Sequence, residues 1–224
     1  MFFLSTGVLS ADLVYHVPIH KTIDLGLPAF IERAIAEAKE DKASAIVFDI
    51  DTFGGRVDGA TEIKNAILQL DSSITTVAFI TGEAASAGAL ISLACTKIVM
   101  TKGASIGAAT AVDIQGNKAS EKVISYMRSM MRSTAEARGR SPILAEAMVD
   151  DSIGFSHVVV RGDSLEASDL EGSKKGKLLT LSTTQALKFG LADHSVETLP
   201  EVLEFLGMSG AQIKEMDEIG RAHV

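Results

Sequence analysis

Short apolar runs alternate along the first half of the chain with segments whose apolar residues recur every three or four positions. A run of about four to eight apolar residues suits a buried strand, and the wider spacing suits an amphipathic helix. Leu13 to Ile19 reads as a strand, and a helix opens near Pro28 with Ile31, Ala34, Ile35 and Ala38 on one stripe. Ala45 to Ile50 is the next strand; Asp51-Thr52-Phe53-Gly54-Gly55 breaks it, and Val57, Ala60, Ile63, Ile67 and Leu70 return to helical spacing. Thr75 to Ile80 is a third strand, Thr81-Gly82-Glu83 a turn, and the small residues from Ala84 to Ile91 begin a closely packed helix. Lys97 to Met100 is a further short strand. Strand and helix in regular alternation predict an α/β layered fold with a largely parallel sheet.

The second half is less regular. Residues 101–119 are rich in Gly, Ala, Ser and Thr and read as a mobile loop with short extended pieces. Ser120 to Arg138 reads as a long helix with Val123, Met127, Met130 and Thr134 on one stripe, stopped by Gly139. Ser141-Pro142 opens another. Arg161 to Lys177 is polar and reads as a solvated surface loop, its Arg-Gly-Asp tripeptide a chance match. Leu178 to Thr180 is a short strand, Ser182 caps a helix ending at Gly190, and Leu199 to Phe205 and Ala211 to Ile219 read as short amphipathic helices. No internal repeat or linker breaks the chain, so residues 1–224 are expected to form a single domain, with 1–11 a signal remnant or edge segment and 207–224 a tail.

Composition narrows the function. With 21 basic against 29 acidic residues and no basic run, the chain lacks the clustered charge a nucleic-acid surface needs. One cysteine, Cys95, rules out an internal disulfide framework or a multi-cysteine metal cage. No apolar stretch approaches the ~20 residues of a spanning helix, and the chain as given is expected to be soluble. A mean hydropathy of +0.24 points to a covered subunit face or a membrane-adjacent parent protein.

Three features could carry chemistry. Gly54-Gly55 lies between a strand and a helix, where glycine lets a ligand approach backbone N–H groups; a plain tight turn uses the same pair. Ser86 lies among alanines just before Gly88, at a strand-to-helix passage, so its hydroxyl would sit beside the unpaired N–H groups of a helix start, which can hold an oxyanion. A serine in a packing seam is the alternative. A serine nucleophile also needs a base. The five histidines are His16, His20, His157, His194 and His223, none of them between Ser86 and the end of the long helix, whereas Lys97, Lys102, Lys118 and Lys122 fall there. Lys122 stands in the first turn of that helix, where the dipole and burial would disfavour its ammonium form; Lys118 is its nearest competitor. An ordinary lysine is neutral in only about one molecule in a thousand near pH 7.4. Neutrality there forfeits about 4 kcal/mol of ammonium stabilisation, so such a site must be largely dry.

In order and spacing, Asp51-Thr52-Phe53-Gly54-Gly55, Ala85-Ser86-Ala87-Gly88, the segment Thr101 to Ala108, and Lys122 ahead of Gly139-Arg140 resemble the ClpP-class serine proteases, and among them the membrane-bound NfeD proteases that accompany stomatin-like proteins. The likeness covers roughly residues 12–206. It implies a ClpP/crotonase-like fold of repeated ββα units and a Ser–Lys dyad, with Ser86 as nucleophile and Lys122 as base. Gly55 and Ala87 would supply the oxyanion-hole amides, and Gly54, Gly82 and Ser105 would contact substrate. It implies no metal and no cofactor, a homo-oligomer, and an apolar peptide substrate such as a segment of a stomatin-like partner. It also implies a membrane-associated full-length protein whose protease part lies outside the cytoplasm. One departure is Phe53, where the family usually has proline.

Two other readings use the same fold. A crotonase-type acyl-CoA enzyme would need positioned carboxylates, for which Glu83 and Asp113 are available, and a non-catalytic module would only hold an apolar peptide. The Met127, Met130 and Met131 cluster could serve a subunit face, a peptide groove or ordinary helix packing.

Overall fold

The computed structural model describes residues 12–112 and 117–217. In chain order the elements are β1 (Leu13–Ile23), α1 (Gly26–Glu40), β2 (Ala45–Gly55), α2 (Val57–Leu68), β3 (Thr75–Ala85), α3 (Ala87–Ala94), β4 (Lys97–Met100) and β5 (Ser105–Gly107). There follow α4 (Glu121–Ala137), α5 (Pro142–Ala147), β6 (His157–Val160), β7 (Asp163–Glu166), a 3-10 turn at Glu171–Ser173, β8 (Thr180–Ser182), α6 (Thr183–Lys188), β9 (His194–Ser195), α7 (Leu199–Phe205) and β10 (Gln212–Glu215).

Among the described residues the main sheet runs β10-β1-β2-β3-β4-β9, parallel throughout, and β5 joins β3 farther along and pairs antiparallel with β8. Parallel neighbours need crossovers, which α1, α2 and α3 supply. Strand alternation divides the core. Tyr15, Val17, Ile19, Ile46, Phe48, Ile50, Ala78 and Ile80 face the helices, whereas Val14, Val47, Val77 and Phe79 face the other way, under Val202 and Leu203 of α7. On α1 the expected stripe is buried, together with Leu27 and Phe30.

Several sequence expectations change here. Thr81-Gly82-Glu83 is not a turn: β3 continues to Ala85, and these three residues form a bulge opposite Asp51 alone, because Ile50 pairs with Ile80 and Thr52 with Ala84. The Asp51 carboxylate fills the bulge, accepting the Glu83 N–H at 3.0 Å, and a Cβ at Gly82 would lie 2.2 Å from its Oδ1. Likewise β2 does not break at Asp51 but runs to Gly55. Of the expected loop 101–119, the part from Thr101 to Ala111 is tied down: Ser105–Gly107 is a strand, Ala104, Ile106 and Ala109 are buried, and Ala109 N–H reaches the Met148 carbonyl at 2.6 Å. Small side chains suit this segment because it lies against other backbone; a Cβ on Gly107 would be 2.4 Å from the Leu179 carbonyl oxygen.

On α4 the buried stripe is Ile124, Met127, Met130, Met131 and Thr134, while Val123 is exposed, so the expected stripe is one residue out at its start. The three methionines pack into the core. Within 161–177, expected as a surface loop, β7 pairs with β6 around a turn at Arg161-Gly162, and Ala167 and Leu170 are buried. The strand expected at 178–180 is displaced to Thr180–Ser182, and of the helix expected at 211–219 the described part, to Asp217, holds strand β10 instead. Ser182 does cap α6, in a reciprocal arrangement with Gln185. Residues 1–11 and Asp113 lie outside the described residues.

Candidate active site

Ser86 is the single residue between β3 and α3, with φ 55° and ψ −116°. A side chain with a Cβ rarely occupies that region, and holding one there costs on the order of 1–3 kcal/mol. The neighbours over-determine it. Its N–H donates to the Gly107 carbonyl at 2.9 Å, its own carbonyl accepts from Ala89 N–H at 3.1 Å, and all eight residues of α3 are buried. The result is a half-buried hydroxyl raised at the entrance of a rigid helix, with no hydrogen bond among the described residues. Ala87 is the first residue of that helix, so its N–H has no partner within it.

The glycine turn comes up against this serine. Gly54 has φ +107°, and a Cβ added there would stand 2.5 Å from Ser86 Cβ and 3.0 Å from its Oγ. Glycine is therefore needed twice at this position, for the left-handed backbone and for the approach. At Gly55 a Cβ would run into β1, 2.2 Å from the Ile23 carbonyl oxygen. Gly54 N–H is taken by Thr52 Oγ1 at 3.0 Å and Arg56 N–H by the Ile23 carbonyl at 2.8 Å, which bracket Gly55 on either side. The spacing within Ala-Ser-Ala-Gly follows from packing as well: a Cβ at Gly88 would meet Thr52 Cγ2 at 2.7 Å, so α3 can lie on β2 only with glycine there.

Lys122 is exposed in the first turn of α4 and has no hydrogen bond or ion pair among the described residues. The described residues do not supply the dry surroundings expected of it. Lys118, the competitor, is engaged: its ammonium lies 2.6 Å from Asp151 Oδ1, and that hydrogen bond holds its pKa above the ordinary lysine range. Of the histidines, His157 lies in β6, His194 in β9 stacks on Phe205, and His223 is outside the described residues. His16 and His20 lie on the sheet face opposite the helices, each with Nε2 directed at Asp49 Oδ2, at 3.8 and 3.2 Å.

Of the three residues expected to contact substrate, Gly54 abuts Ser86, whereas the near neighbour of Gly82 is Asp51, and Ser105 pairs with Glu83 and Ser182. Glu83 points away from Ala84, which packs towards α3, so this carboxylate is on the wrong side of β3 to serve chemistry at Ser86. Phe53, the unusual residue before the glycines, is 81% exposed. One buried contributor, Thr52, was not singled out from the sequence; its alternation with Ile50 on the inward face of β2 was the available signal.

Residues 13–216 match the family model described as NfeD1b, N-terminal domain. The chain belongs to the NfeD1b N-terminal domain family. Among similar proteins, the membrane protein NfeD1b of Bacillus subtilis is 34% identical over 92% of this chain and 44% of its own length. The membrane-bound protease PH1510 of Pyrococcus horikoshii is 27% identical over 91% of this chain and 42% of its own. This NfeD1b N-terminal domain thus spans less than half the length of those relatives. Among solved structures, a mutant of the membrane-bound stomatin-specific protease 1510-N bound to a substrate peptide superposes with a TM-score of 0.74 at 24% identity, covering 93% of this chain and 94% of that one. ClpP1 of Listeria monocytogenes follows at 0.58 and 18%, over 84% of this chain and 94% of that one. The fold is ClpP-like. No helix among the described residues is long and apolar enough to cross a membrane.

Proposed function

We propose that the domain is a serine endopeptidase in which Ser86 attacks a peptide carbonyl and Lys122 is the base. The observation that carries the reading is the strained, unbonded Ser86 at the start of α3 with Gly54 packed against it. A buried seam serine has no need of an unfavourable backbone or of a glycine cleared from its side. The Ala87 amide and the Gly55 amide would hold the oxyanion, a contribution of about 3–4 kcal/mol per donor in sites of this kind. Kinship with a membrane-bound protease of Pyrococcus horikoshii supports the peptidase class.

In the reaction, the Ser86 Oγ–carbon bond forms while the lysine takes the hydroxyl proton. The carbon–nitrogen bond then breaks and that proton goes to the departing amine. Water, deprotonated by the same lysine, attacks the ester and frees Ser86. The lysine must be neutral at the first step, so Lys122 has to be covered and water excluded when peptide is bound. An apolar peptide does this best, and the structural likeness to a stomatin-specific protease favours a segment of a stomatin-like membrane protein. The full-length protein would then work at a membrane, as a homo-oligomer, with this domain outside the cytoplasm.

The test is cleavage of an apolar peptide by the purified domain. Wild type is expected to cut, and Ser86→Ala and Lys122→Ala to fall to background with melting temperature unchanged. Full activity in either folded variant would overturn the assignment. Saturable peptide binding with no product from wild type would replace it with a binding module.

A further inference from the structure

Thr52 is 1% exposed and sits where two irregularities of the sheet meet. On one side, Thr52 and Phe53 together oppose Lys21 of β1, since His20 pairs with Asp51 and Thr22 with Gly54. On the other, Thr52 pairs with Ala84 immediately beyond the bulge in β3. Its hydroxyl donates to the Lys21 carbonyl and accepts the Gly54 N–H at 3.0 Å, with the Gly54 carbonyl a further acceptor at 3.4 Å. Its methyl group occupies the space that a Cβ on Gly88 would need, at 2.7 Å. One side chain therefore touches Lys21 of β1 at the irregular pairing, the glycine turn, and the first turn of the helix that presents Ser86.

We propose that Thr52 is a positioning residue for the nucleophile and its oxyanion hole, an inference that rests on reading Ser86 as the nucleophile. The hydroxyl takes up the Gly54 amide, which would otherwise compete with Gly55 for an oxyanion, and so fixes the Phe53–Gly54 peptide plane, while its 3.4 Å approach to the Gly54 carbonyl bears on the next plane, which carries the Gly55 N–H. The methyl sets the distance between β2 and α3, and with it the separation of Gly54 from Ser86. Hydroxyl and methyl do different work, so two substitutions separate them. Thr52→Val keeps the shape and removes the hydrogen bonds; Thr52→Ser keeps the hydrogen bonds and opens a methyl-sized gap under Gly88.

The experiment measures the rate of fluorophosphonate labelling of Ser86 and kcat and KM for an apolar peptide, well below each variant's melting temperature, with amide exchange at Gly54 followed by NMR. In Thr52→Val, labelling and kcat are expected to fall tenfold or more with KM little changed, while the Gly54 amide exchanges faster. Thr52→Ser is expected to label within about threefold of wild type although its smaller side chain lowers its melting temperature. A merely structural role would make the rates of the two variants follow their measured melting temperatures, whichever of them is the less stable. Thr52→Val with labelling and kcat within twofold of wild type, or unchanged exchange at Gly54, overturns the proposal. A wild-type protein that does not label at Ser86 removes the nucleophile reading and the catalytic consequence with it, whereas exchange at Gly54 reads the hydrogen bond independently.

Discussion

Gly54→Ala puts the most direct pressure on the geometry at Ser86. The new Cβ would start 2.5 Å from Ser86 Cβ and 3.1 Å from the Ala85 carbonyl oxygen, on a backbone at φ +107°. Ordinary carbon–carbon contact begins near ~3.5 Å, so the two segments must part by about 1 Å. Neither neighbour is a flexible tip. Left-handed strain in a non-glycine residue costs on the order of 1–3 kcal/mol, and overpacking of this kind costs about 1–3 kcal/mol more. A loss of about 2–6 kcal/mol lowers the melting temperature by roughly 4–24 °C for a chain of this size. A displacement of about 1 Å at a reacting atom costs on the order of a hundredfold in rate. The assay pairs thermal unfolding with fluorophosphonate labelling below the transition, and Gly103→Ala serves as control: Gly103 has φ +83° but nothing within 4 Å of an added Cβ, so it carries strain without a clash. The control is expected to lose some stability and no labelling. Gly54→Ala that labels within about threefold of wild type would refute the proposed contact between the glycine turn and the nucleophile.

Three further outcomes follow from the same structure. Lys118→Ala, which removes a lysine already bonded to Asp151, is expected to leave the labelling rate within about twofold, whereas Lys122→Ala abolishes it; the reverse pattern in labelling kinetics would exchange the two roles. Arg140 is buried and donates to the carbonyls of Leu191, Leu93, Cys95 and Thr96, so Arg140→Leu strands several acceptors and is expected to cost at least about 3 kcal/mol in denaturant unfolding; a change under about 1 kcal/mol would contradict that role. Burial pushes the Cys95 thiol up to about 12, so it stays protonated and shielded through neutral and mildly alkaline pH; iodoacetamide at pH 8 is expected to add mass only after unfolding, and rapid alkylation of the native protein would show the core to be open.

The parallel core was legible because it is long and periodic: α1 buries its whole expected stripe, and α2 buries Ala60, Ile63 and Ile67 of its own, with Val57 and Leu70 only partly buried. What the pattern hid was irregular pairing. Thr81-Gly82-Glu83 has the composition of a turn, yet an aspartate on the neighbouring strand accommodates it as a bulge, a long-range contact that local propensity does not register. The segment from Thr101 to Ala111 is poor in large apolar residues and so resembles a loop, but backbone packed on backbone needs little side-chain bulk. β10 was lost for a different reason, since a four-residue edge strand, Gln-Ile-Lys-Glu, with a single apolar residue carries too little pattern to tell a strand from one turn of a helix. Ser86 and the glycine pair stood out in the sequence because strain and close approach select small residues. Thr52 did not, because a buried threonine in a strand is ordinary until its hydrogen-bond partners are known. Lys122 was picked out by its place in the chain, and the described residues leave it exposed.

Labelling of the wild-type domain with a fluorophosphonate, mapped by peptide mass and followed from pH 6 to pH 10, tests the dyad most directly. One adduct on Ser86, forming faster as pH rises and absent in Lys122→Ala, is the expected result, because a lysine acts as base only in its neutral form. An adduct on another residue, a rate that peaks near pH 5, or undiminished labelling of folded Lys122→Ala would contradict it.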